Sequence, residues 1–295
     1  MNVLEIVKQF AGSITAIDVI ICLTGLILLA SWLLKTSLGK NALADSMPRR
    51  NNMPFYLPFI PLFIWLGAVS LAVSITRKLL ADLPDWQSAF LDNLILSIGA
   101  IATIVVIIFL AQGHFARRLK GFGLNAKTIH KDFFAAAVNL ISVWPILMLM
   151  VILTIFFGKL IWGQDFEIRQ HQELKLIMAH PQLPVRVLII VTTVAVVPVF
   201  EEMLFRGLFQ TMLRSFLSNF KFRTSNLRYR QSAWLSIVIN SVLFAAIHTN
   251  VGHWPALFAL SMCLGYSYEK SGSLFRPIFI HSLFNATSVI AALYQ

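Results

Sequence analysis

The sequence predicts an all-α, polytopic integral membrane protein. Hydrophobic residues make up 58% of the chain and charged residues only 13%, whereas soluble domains carry about 25% charged residues. Apolar runs of about 20 residues, long enough to cross a bilayer as helices, recur along the whole chain. We therefore predict about eight transmembrane helices. Their approximate extents are Ile14–Leu34, Phe55–Ile75, Ala89–Ala111, Ala135–Phe157, Val187–Leu213, Ser232–Thr249, Trp254–Tyr268 and Phe275–Leu293.

The positive charge is distributed by loop. The net charge is +11, and most of the 24 lysines and arginines fall in the odd-numbered loops between the predicted helices. By the positive-inside rule these odd-numbered loops are cytoplasmic. The basic excess thus reflects membrane topology, with a contribution to contact with anionic lipid, and we assign no nucleic-acid partner.

Several isolated polar residues have structural interpretations. Cys22 and Cys263 stand alone within apolar runs, so we expect apolar packing and not a disulfide. Glu269 and Lys270 end the seventh predicted helix, where we expect a solvated pair. His253 is expected at the membrane interface, with a role in a functional site as the alternative. Asn240 is expected to line a polar cavity or to bond a neighbouring helix.

The densest group of charges inside an apolar segment is in the fifth predicted helix. Residues 187–200 contain no charged residue, and then Glu201, Glu202 and Arg206 follow within six positions. An ionisable residue inside a membrane span costs several kcal/mol and is by default a candidate functional site. This segment is therefore the centre of the functional hypothesis.

Helical spacing gives these residues different roles. Glu202 and Arg206 are four residues apart and share a face, so they can form an ion pair. Glu201 points about a quarter-turn away and remains available as a general base, and Pro198 is expected to bend the helix just before it. A plain Glu–Arg brace between helices is the structural alternative. Because a brace does not need the second glutamate, the pair favours a functional site.

Two later helices supply further polar side chains. His248 lies near the end of the sixth predicted helix, where Phe244 shares its face, and His281 and Asn285 are four residues apart on the eighth. Because polar groups avoid the lipid, these side chains are expected to face the two glutamates. A carboxylate with a histidine can activate water, and a histidine with an asparagine can stabilise an oxyanion.

The ordered motifs EEMLFR, FAAIH and HSLFN resemble the CAAX-protease and bacteriocin-processing (CPBP, Abi) family of intramembrane proteases. The resemblance implies a helical membrane fold with a polar intramembrane cavity, in which Glu201 and His248 activate water, while His281 and Asn285 form the oxyanion hole. It also implies that Glu202 and Arg206 support the site. Under this hypothesis residues 1–184 form an accessory region of about four helices, and residues 185–295 form the protease core. The resemblance further suggests a multi-pass protein of a bacterial cell membrane.

Two alternatives for the chemistry remain open. Glu201, His248 and His281 could surround a zinc ion, but the chain lacks the His-Glu-x-x-His turn of zinc proteases, and Arg206 would oppose a divalent cation. The sequence therefore favours a glutamic intramembrane endopeptidase without a cofactor over a metalloprotease. Its partners are expected to be the bilayer and a peptide or protein substrate, either prenylated or membrane-anchored.

A second hypothesis is that the protein has the same fold but no catalytic activity, and acts as a membrane binding or immunity protein. A third is a proton-coupled transporter, which the lack of a repeat between the two halves disfavours.

Overall fold

The computed structural model describes residues 15–169, 171–219 and 229–294, and within these ranges the chain is helical with no β-strand. The predicted all-α fold class is confirmed. Part of the third odd-numbered loop, residues 220–228, lies outside the described residues. The helices are α1 (Ala16–Lys35), α2 (Phe59–Leu79), α3 (Asp85–His114), α4 (Arg118–Phe122), α5 (Ile129–Trp162), α6 (Gln172–Ala179), α7 (Leu183–Ser218), α8 (Tyr229–Ala246), α9 (Trp254–Ser271) and α10 (Phe275–Leu293).

Five of the described helices are long and apolar enough to cross a membrane. They are α1, α2, α3, the segment Ala126–Trp162 that contains α5, and α7. These match the first five predicted spans in position, and they confirm a polytopic membrane protein. The last three predicted spans coincide with α8, α9 and α10, which are shorter or carry more polar residues. The number of eight spans therefore stays a prediction.

A close contact joins α1 to the middle of α5. Gly25 is the buried residue of α1, and a Cβ atom at this position would meet the Ile141 carbonyl and lie 2.7 Å from Pro145 Cδ. Pro145 lies inside α5. The absence of a side chain at Gly25 therefore sets how closely the two helices approach.

We expect Gly25→Ala to destabilise the protein by about 1–3 kcal/mol, because the added methyl group must push apart two packed backbones. Gly113→Ala is the matched control, since Gly113 lies in α3 and no atom comes within 4 Å of a Cβ there. Thermal unfolding in detergent would measure both variants. If Gly25→Ala melts at the wild-type temperature, the packing is looser than described.

The main core surrounds α7. Its buried residues include Phe200, Met203, Leu204, Phe205 and Leu208 from α7. They pack against side chains from other helices and loops, among them Ile107, Phe115, Phe122, Phe244, Tyr268 and Ile278. Gly207 has no side chain, and the space that a Cβ would need is taken by the Phe122 ring. The segment that carries the paired glutamates is thus enclosed on several sides.

The expectation of a solvated pair at Glu269 is wrong. The Glu269 side chain is fully buried and forms an ion pair with Arg214, while Gln210 Nε2 donates to Oε1 at 3.1 Å. Ser46 Oγ donates to Oε2 at 3.2 Å and also accepts from Arg214 Nη1 at 2.9 Å. The cause is the fold of the first loop, which returns over the end of α9 and supplies partners that are distant in the sequence.

The same loop is held by a second arginine. The Arg49 guanidinium stacks 3.5 Å from the centre of the Tyr268 ring and donates to the Tyr268 carbonyl at 3.0 Å. Desolvation by burial lowers the pKa of Arg49, and the neighbouring Tyr268 acts in the opposite direction. The first loop is therefore a packed part of the structure.

Two further expectations concern the whole chain. The division of the chain near residue 184 stays a prediction. Cys22 and Cys263 are both free thiols.

Candidate active site

Two π-helical turns flank the paired glutamates in α7. The π-helical segments are Thr192–Val196 and Met203–Gln210, and Glu201 and Glu202 lie in the α-helical turn Val197–Glu202 between them. π-helical turns are rare and occur frequently at functional sites. The local winding of α7 therefore changes on both sides of the acidic pair.

Pro198 explains how Asn285 is held. The Val197 N–H donates to the Thr192 carbonyl, and the next residue, Pro198, has no N–H to offer the Thr193 carbonyl. Asn285 Nδ2 on α10 donates to that Thr193 carbonyl at 2.8 Å. The Asn285 amide is thus fixed against the first π-helical turn. Since an amide NH₂ group has two donors, its second N–H remains for another acceptor.

Glu202 is fully buried between a cation and an imidazole. Its Oε2 lies 3.2 Å from Arg206 Nε, which is an ion-pair distance although the two atoms lack hydrogen-bond alignment. Its Oε1 lies 2.9 Å from His281 Nδ1 on α10. The predicted i,i+4 pair between Glu202 and Arg206 is therefore present, and the carboxylate also fixes the orientation of the His281 ring.

Arg206 has partners on two further helices. Its Nη2 donates to Ser261 Oγ of α9 at 2.8 Å, and its guanidinium carbon lies 4.7 Å from the centre of the Phe244 ring of α8. The side chain is fully buried. Arg206 thus connects α7, α8 and α9 directly beside Glu202.

Glu201 is the more accessible of the two acids. Its side chain is 16% exposed, whereas that of Glu202 is fully buried. Glu201 Oε2 lies 3.8 Å from His281 Nε2. The His281 imidazole therefore stands between the two carboxylates, with Nδ1 bound to Glu202 and Nε2 turned toward Glu201.

His248 occupies a different part of the site. Helix α8 ends at Ala246, and His248 follows in the turn, where its Nδ1 lies 2.7 Å from the Phe244 carbonyl oxygen. No ion pair within 4.0 Å joins His248 to Glu201 among the described residues. The structure therefore brings Glu201 next to His281, and it leaves His248 at a greater distance than a direct Glu201–His248 pair requires.

His248 faces a large open cavity of about 1240 Å³. Its wall combines apolar side chains of α5, such as Phe157 and Trp162, with polar residues that include His171, Glu173 and His253. The His171 ring lies 6.4 Å from the His248 ring and 5.3 Å from the His253 ring, measured between centroids. Three imidazoles from two separate segments thus gather at this cavity.

His171 and Glu173 form an ion pair outside the membrane-spanning helices, with 2.7 Å between Nδ1 and Oε2. The hydrogen bond to Glu173 raises the pKa of His171 above its ordinary value of 6.5. Burial raises the pKa of the Glu173 carboxyl, but the hydrogen bond and the charge of His171 outweigh it, so that pKa is lowered. Desolvation lowers the pKa of His253.

We expect an NMR titration to find the pKa of His171 above 6.5 and that of His253 below it. Because the folded-state pKa of His171 is raised, its pairing stabilises the fold fully below pH 6.5 and is lost as the pH rises through the raised value. Glu173→Gln should return the pKa of His171 toward 6.5. An unchanged His171 titration in that variant would show that the ion pair does not form in solution.

Residues 183–287 match the family described as Rce1-like, type II CAAX prenyl endopeptidase Rce1-like. The predicted family resemblance is confirmed. The Rce1-like region contains Glu201, Glu202, Arg206, His248, His281 and Asn285, and it ends near the C-terminal part of α10.

One curated relative is an uncharacterized 24.3 kDa protein of Escherichia coli. It is 25% identical over 130 residues, which cover 43% of this chain and 54% of that protein. The chain therefore spans about half the length of this relative. No solved structure matches the chain.

The arrangement of the side chains bears on the alternative of a zinc-dependent protease. Among residues 15–169, 171–219 and 229–294, no group of three or more His, Cys, Asp or Glu side chains is arranged to hold a metal ion. Within the Rce1-like region, His281 Nδ1 is engaged by Glu202, and Arg206 lies beside that carboxylate. The side chains of Glu201, His248 and His281 thus do not converge on one point in the structure.

Sequence reasoning missed two contributors to the site. Ser261 binds Arg206 from α9, and His171 lies at the cavity outside the Rce1-like region. Ser261 and Gly265 are small residues four apart on a helix, a pattern typical of close helix packing in membranes, so they could have been noted. No local pattern marks His171, because its proximity to His248 depends entirely on the tertiary fold.

Proposed function

We propose that the protein is an intramembrane endopeptidase that hydrolyses a peptide bond with water activated by Glu201. The observation that carries this proposal is the His281 imidazole between a partly accessible carboxylate, Glu201, and a buried one, Glu202. The match of residues 183–287 to the Rce1-like family supports the same class of reaction.

In the proposed reaction Glu201 accepts a proton from water while the water oxygen attacks the substrate carbonyl carbon. The separation of 3.8 Å between Glu201 Oε2 and His281 Nε2 is too long for a strong direct hydrogen bond, and a bridging water or substrate oxygen fits between such groups. When the C–N bond breaks, protonated Glu201 returns its proton to the leaving nitrogen. This assigns Glu201 as base and then as acid.

The oxyanion that forms on the carbonyl needs donors. We assign this role to the second N–H of Asn285 and to the Nε2–H of His281 in its imidazolium form, in which Nδ1–H donates to Glu202 and Nε2–H is free to donate to the oxyanion. Both side chains are already oriented by their bonds to Glu202 and to the Thr193 carbonyl. Preorganised donors of this kind typically contribute 10²–10³-fold to the rate. His248, at the cavity beside the site, is assigned to contact the substrate or the attacking water.

Glu202 and Arg206 act as supports. Arg206 balances the buried charge of Glu202, and Glu202 orients His281. Neither side chain is exposed, so neither is expected to touch the substrate.

The proposed substrates are peptides or proteins at the membrane, either prenylated C-terminal tails or membrane-anchored segments. The description of the matched family as a prenyl endopeptidase supports the first class, and the partly apolar cavity beside His248 has room for an apolar group. We further propose the cell membrane of a bacterium as the location, with the odd-numbered loops cytoplasmic.

The experiment is proteolysis of a diverse peptide mixture by purified protein in liposomes, with prenylated and unmodified peptides side by side. Mass spectrometry would identify new termini, and a parallel sample would contain a metal chelator. Cleavage that survives the chelator supports the glutamic mechanism. Cleavage lost to the chelator and restored by zinc would establish the metal-dependent alternative, and absence of cleavage from every peptide would favour a binding role.

A further inference from the structure

A surface of basic residues forms where two loops meet beside the membrane. Asn51 and Phe115 form an isolated antiparallel bridge. The Ala116 N–H donates to the Arg50 carbonyl at 3.1 Å, and the Asn52 N–H donates to the His114 carbonyl at 3.0 Å. This pairing brings the first loop to the segment after α3. The exposed cations that gather there are Arg50, Arg117, Arg118 and Lys120, which we call the basic corner.

Within the part of the chain that the structure describes, no acidic side chain pairs with the basic corner. The sequence contains no Asp or Glu between residues 46 and 81, or between residues 113 and 131. Among the ion pairs of the described residues, none includes a member of the basic corner. The neighbouring Arg49 differs, because it is turned inward against Tyr268. The corner therefore presents a purely cationic surface to its surroundings.

The basic corner lies at the level where lipid headgroups are expected. It is located after the end of α3 and ahead of the start of α2, both of which are candidate membrane spans. Large apolar side chains nearby are highly exposed, with Met47 at 85%, Phe55 at 56% and Tyr56 at 64%. Exposed aromatic residues beside basic ones are typical of the membrane interface. Lipid phosphate is the anion within reach of such a surface.

The segment that carries the corner also supports the candidate active site. Phe122 follows two residues after Lys120, and its ring occupies the space beside Gly207, next to Arg206. The Tyr268 hydroxyl donates to the Phe122 carbonyl at 2.9 Å, and the Leu274 N–H donates to the Gly123 carbonyl at 2.9 Å. A ligand that orders this segment would therefore also steady the part of α7 that follows Glu202.

We propose that the basic corner binds the headgroup phosphate of anionic phospholipid, and that this binding stabilises the contact between Phe122 and the π-helical turn of α7. The lipid is then a regulator of the same site for which hydrolysis is proposed above. The binding itself does not depend on that proposal. Each basic residue near an anionic surface contributes modestly, so the corner acts through several charges together.

The test is a lipid titration of the protein in detergent, followed by thermal unfolding. Phosphatidylglycerol should raise the melting temperature, whereas phosphatidylcholine should not. In the Arg117→Gln/Arg118→Gln variant the phosphatidylglycerol concentration at half effect should rise by about tenfold. Lys35→Gln/Lys40→Gln is the matched control, because it removes two exposed cations at the end of α1 and should respond like the wild type.

Three results would overturn the proposal. The first is an equal lipid response in the Arg117/Arg118 variant, and the second is an equal effect of phosphatidylcholine. The third is full protection by inorganic phosphate alone, which would make the corner a site for free phosphate. If the double variant fails to fold, Arg50→Gln and Lys120→Gln provide the same comparison one charge at a time.

Hydrogen exchange reports the coupling to the site. Phosphatidylglycerol should slow exchange of the backbone amides of residues 203–210 in the wild type and not in the Arg117/Arg118 variant. Slower exchange in both proteins, or in neither, would contradict a link through Phe122. Because neither measurement uses a substrate, a failure of the proposed peptidase function would not affect them.

Discussion

Glu201→Gln should lower the rate of peptide cleavage by roughly 10²–10⁴-fold, because the amide cannot accept the proton of the attacking water. The fold should be retained. Among the described residues, Glu201 has no side-chain hydrogen bond or ion pair except the 3.8 Å approach to His281 Nε2, and glutamine has nearly the same shape. Turnover of a defined peptide by purified protein in liposomes would measure the rate, and thermal unfolding would verify the fold.

The control for this prediction is Glu167→Gln. Glu167 lines the cavity beside His248, is exposed and has no ion pair among the described residues. It undergoes the same chemical change and should retain the wild-type rate. Wild-type turnover in Glu201→Gln would show that Glu201 is not the base. A similar loss in Glu167→Gln would point to a general effect of negative charge near the site and not to a role of Glu201 as the base.

Arg206→Met should destabilise the protein by about 3–5 kcal/mol, since it leaves the fully buried Glu202 carboxylate without its cation. The methionine side chain fills a similar volume, so the loss would reflect charge more than packing. Because His281 Nδ1 remains as a partner of Glu202 at 2.9 Å, we expect the loss of stability to lie near the lower end of this range. Unfolding in detergent, followed by circular dichroism, would give the change in stability.

The double variant Glu202→Gln/Arg206→Met separates charge from packing. If the unpaired carboxylate is the cause, removal of both charges should recover a large part of the lost stability. Arg77→Met is the matched control, because Arg77 is paired with Asp92 at 2.6 Å but its side chain is 63% exposed. It should cost about 1 kcal/mol or less. Equal losses in the single Arg206→Met variant and in the double variant would mean that the loss comes from the other contacts of Arg206, with Ser261 and Phe244, and not from an unpaired Glu202 carboxylate.

The sequence predicts the helical membrane fold well, because long apolar runs have few alternatives in a bilayer. The positions of the first five spans follow from hydropathy alone. The burial of Glu269 does not, since the residue stands beside Lys270 at a helix end and its partners Ser46 and Arg214 come from distant segments. A local pattern cannot show that a loop folds back over a helix.

The sequence predicts which residues form the candidate site, but it does not predict how their side chains are arranged. The spacing of Glu202 and Arg206 was sufficient to predict their ion pair. The position of His281 between Glu201 and Glu202 depends on how α10 packs against α7, and the bond between Asn285 and the Thr193 carbonyl depends on a π-helical turn. The α-helical periodicity of a sequence shows neither how two distant helices pack nor where a π-helical turn forms. The roles of Glu201, His248, His281 and Asn285 stay predictions.

The most direct measurement of the central hypothesis is a kinetic double-mutant cycle between Glu201 and His281. If these side chains act on the same water and carbonyl group, Glu201→Gln/His281→Gln should be hardly slower than the slower single variant, since residues that act as one unit are strongly non-additive. Rate losses that multiply in the double variant would show that Glu201 and His281 act separately, and the proposed site would then be wrong.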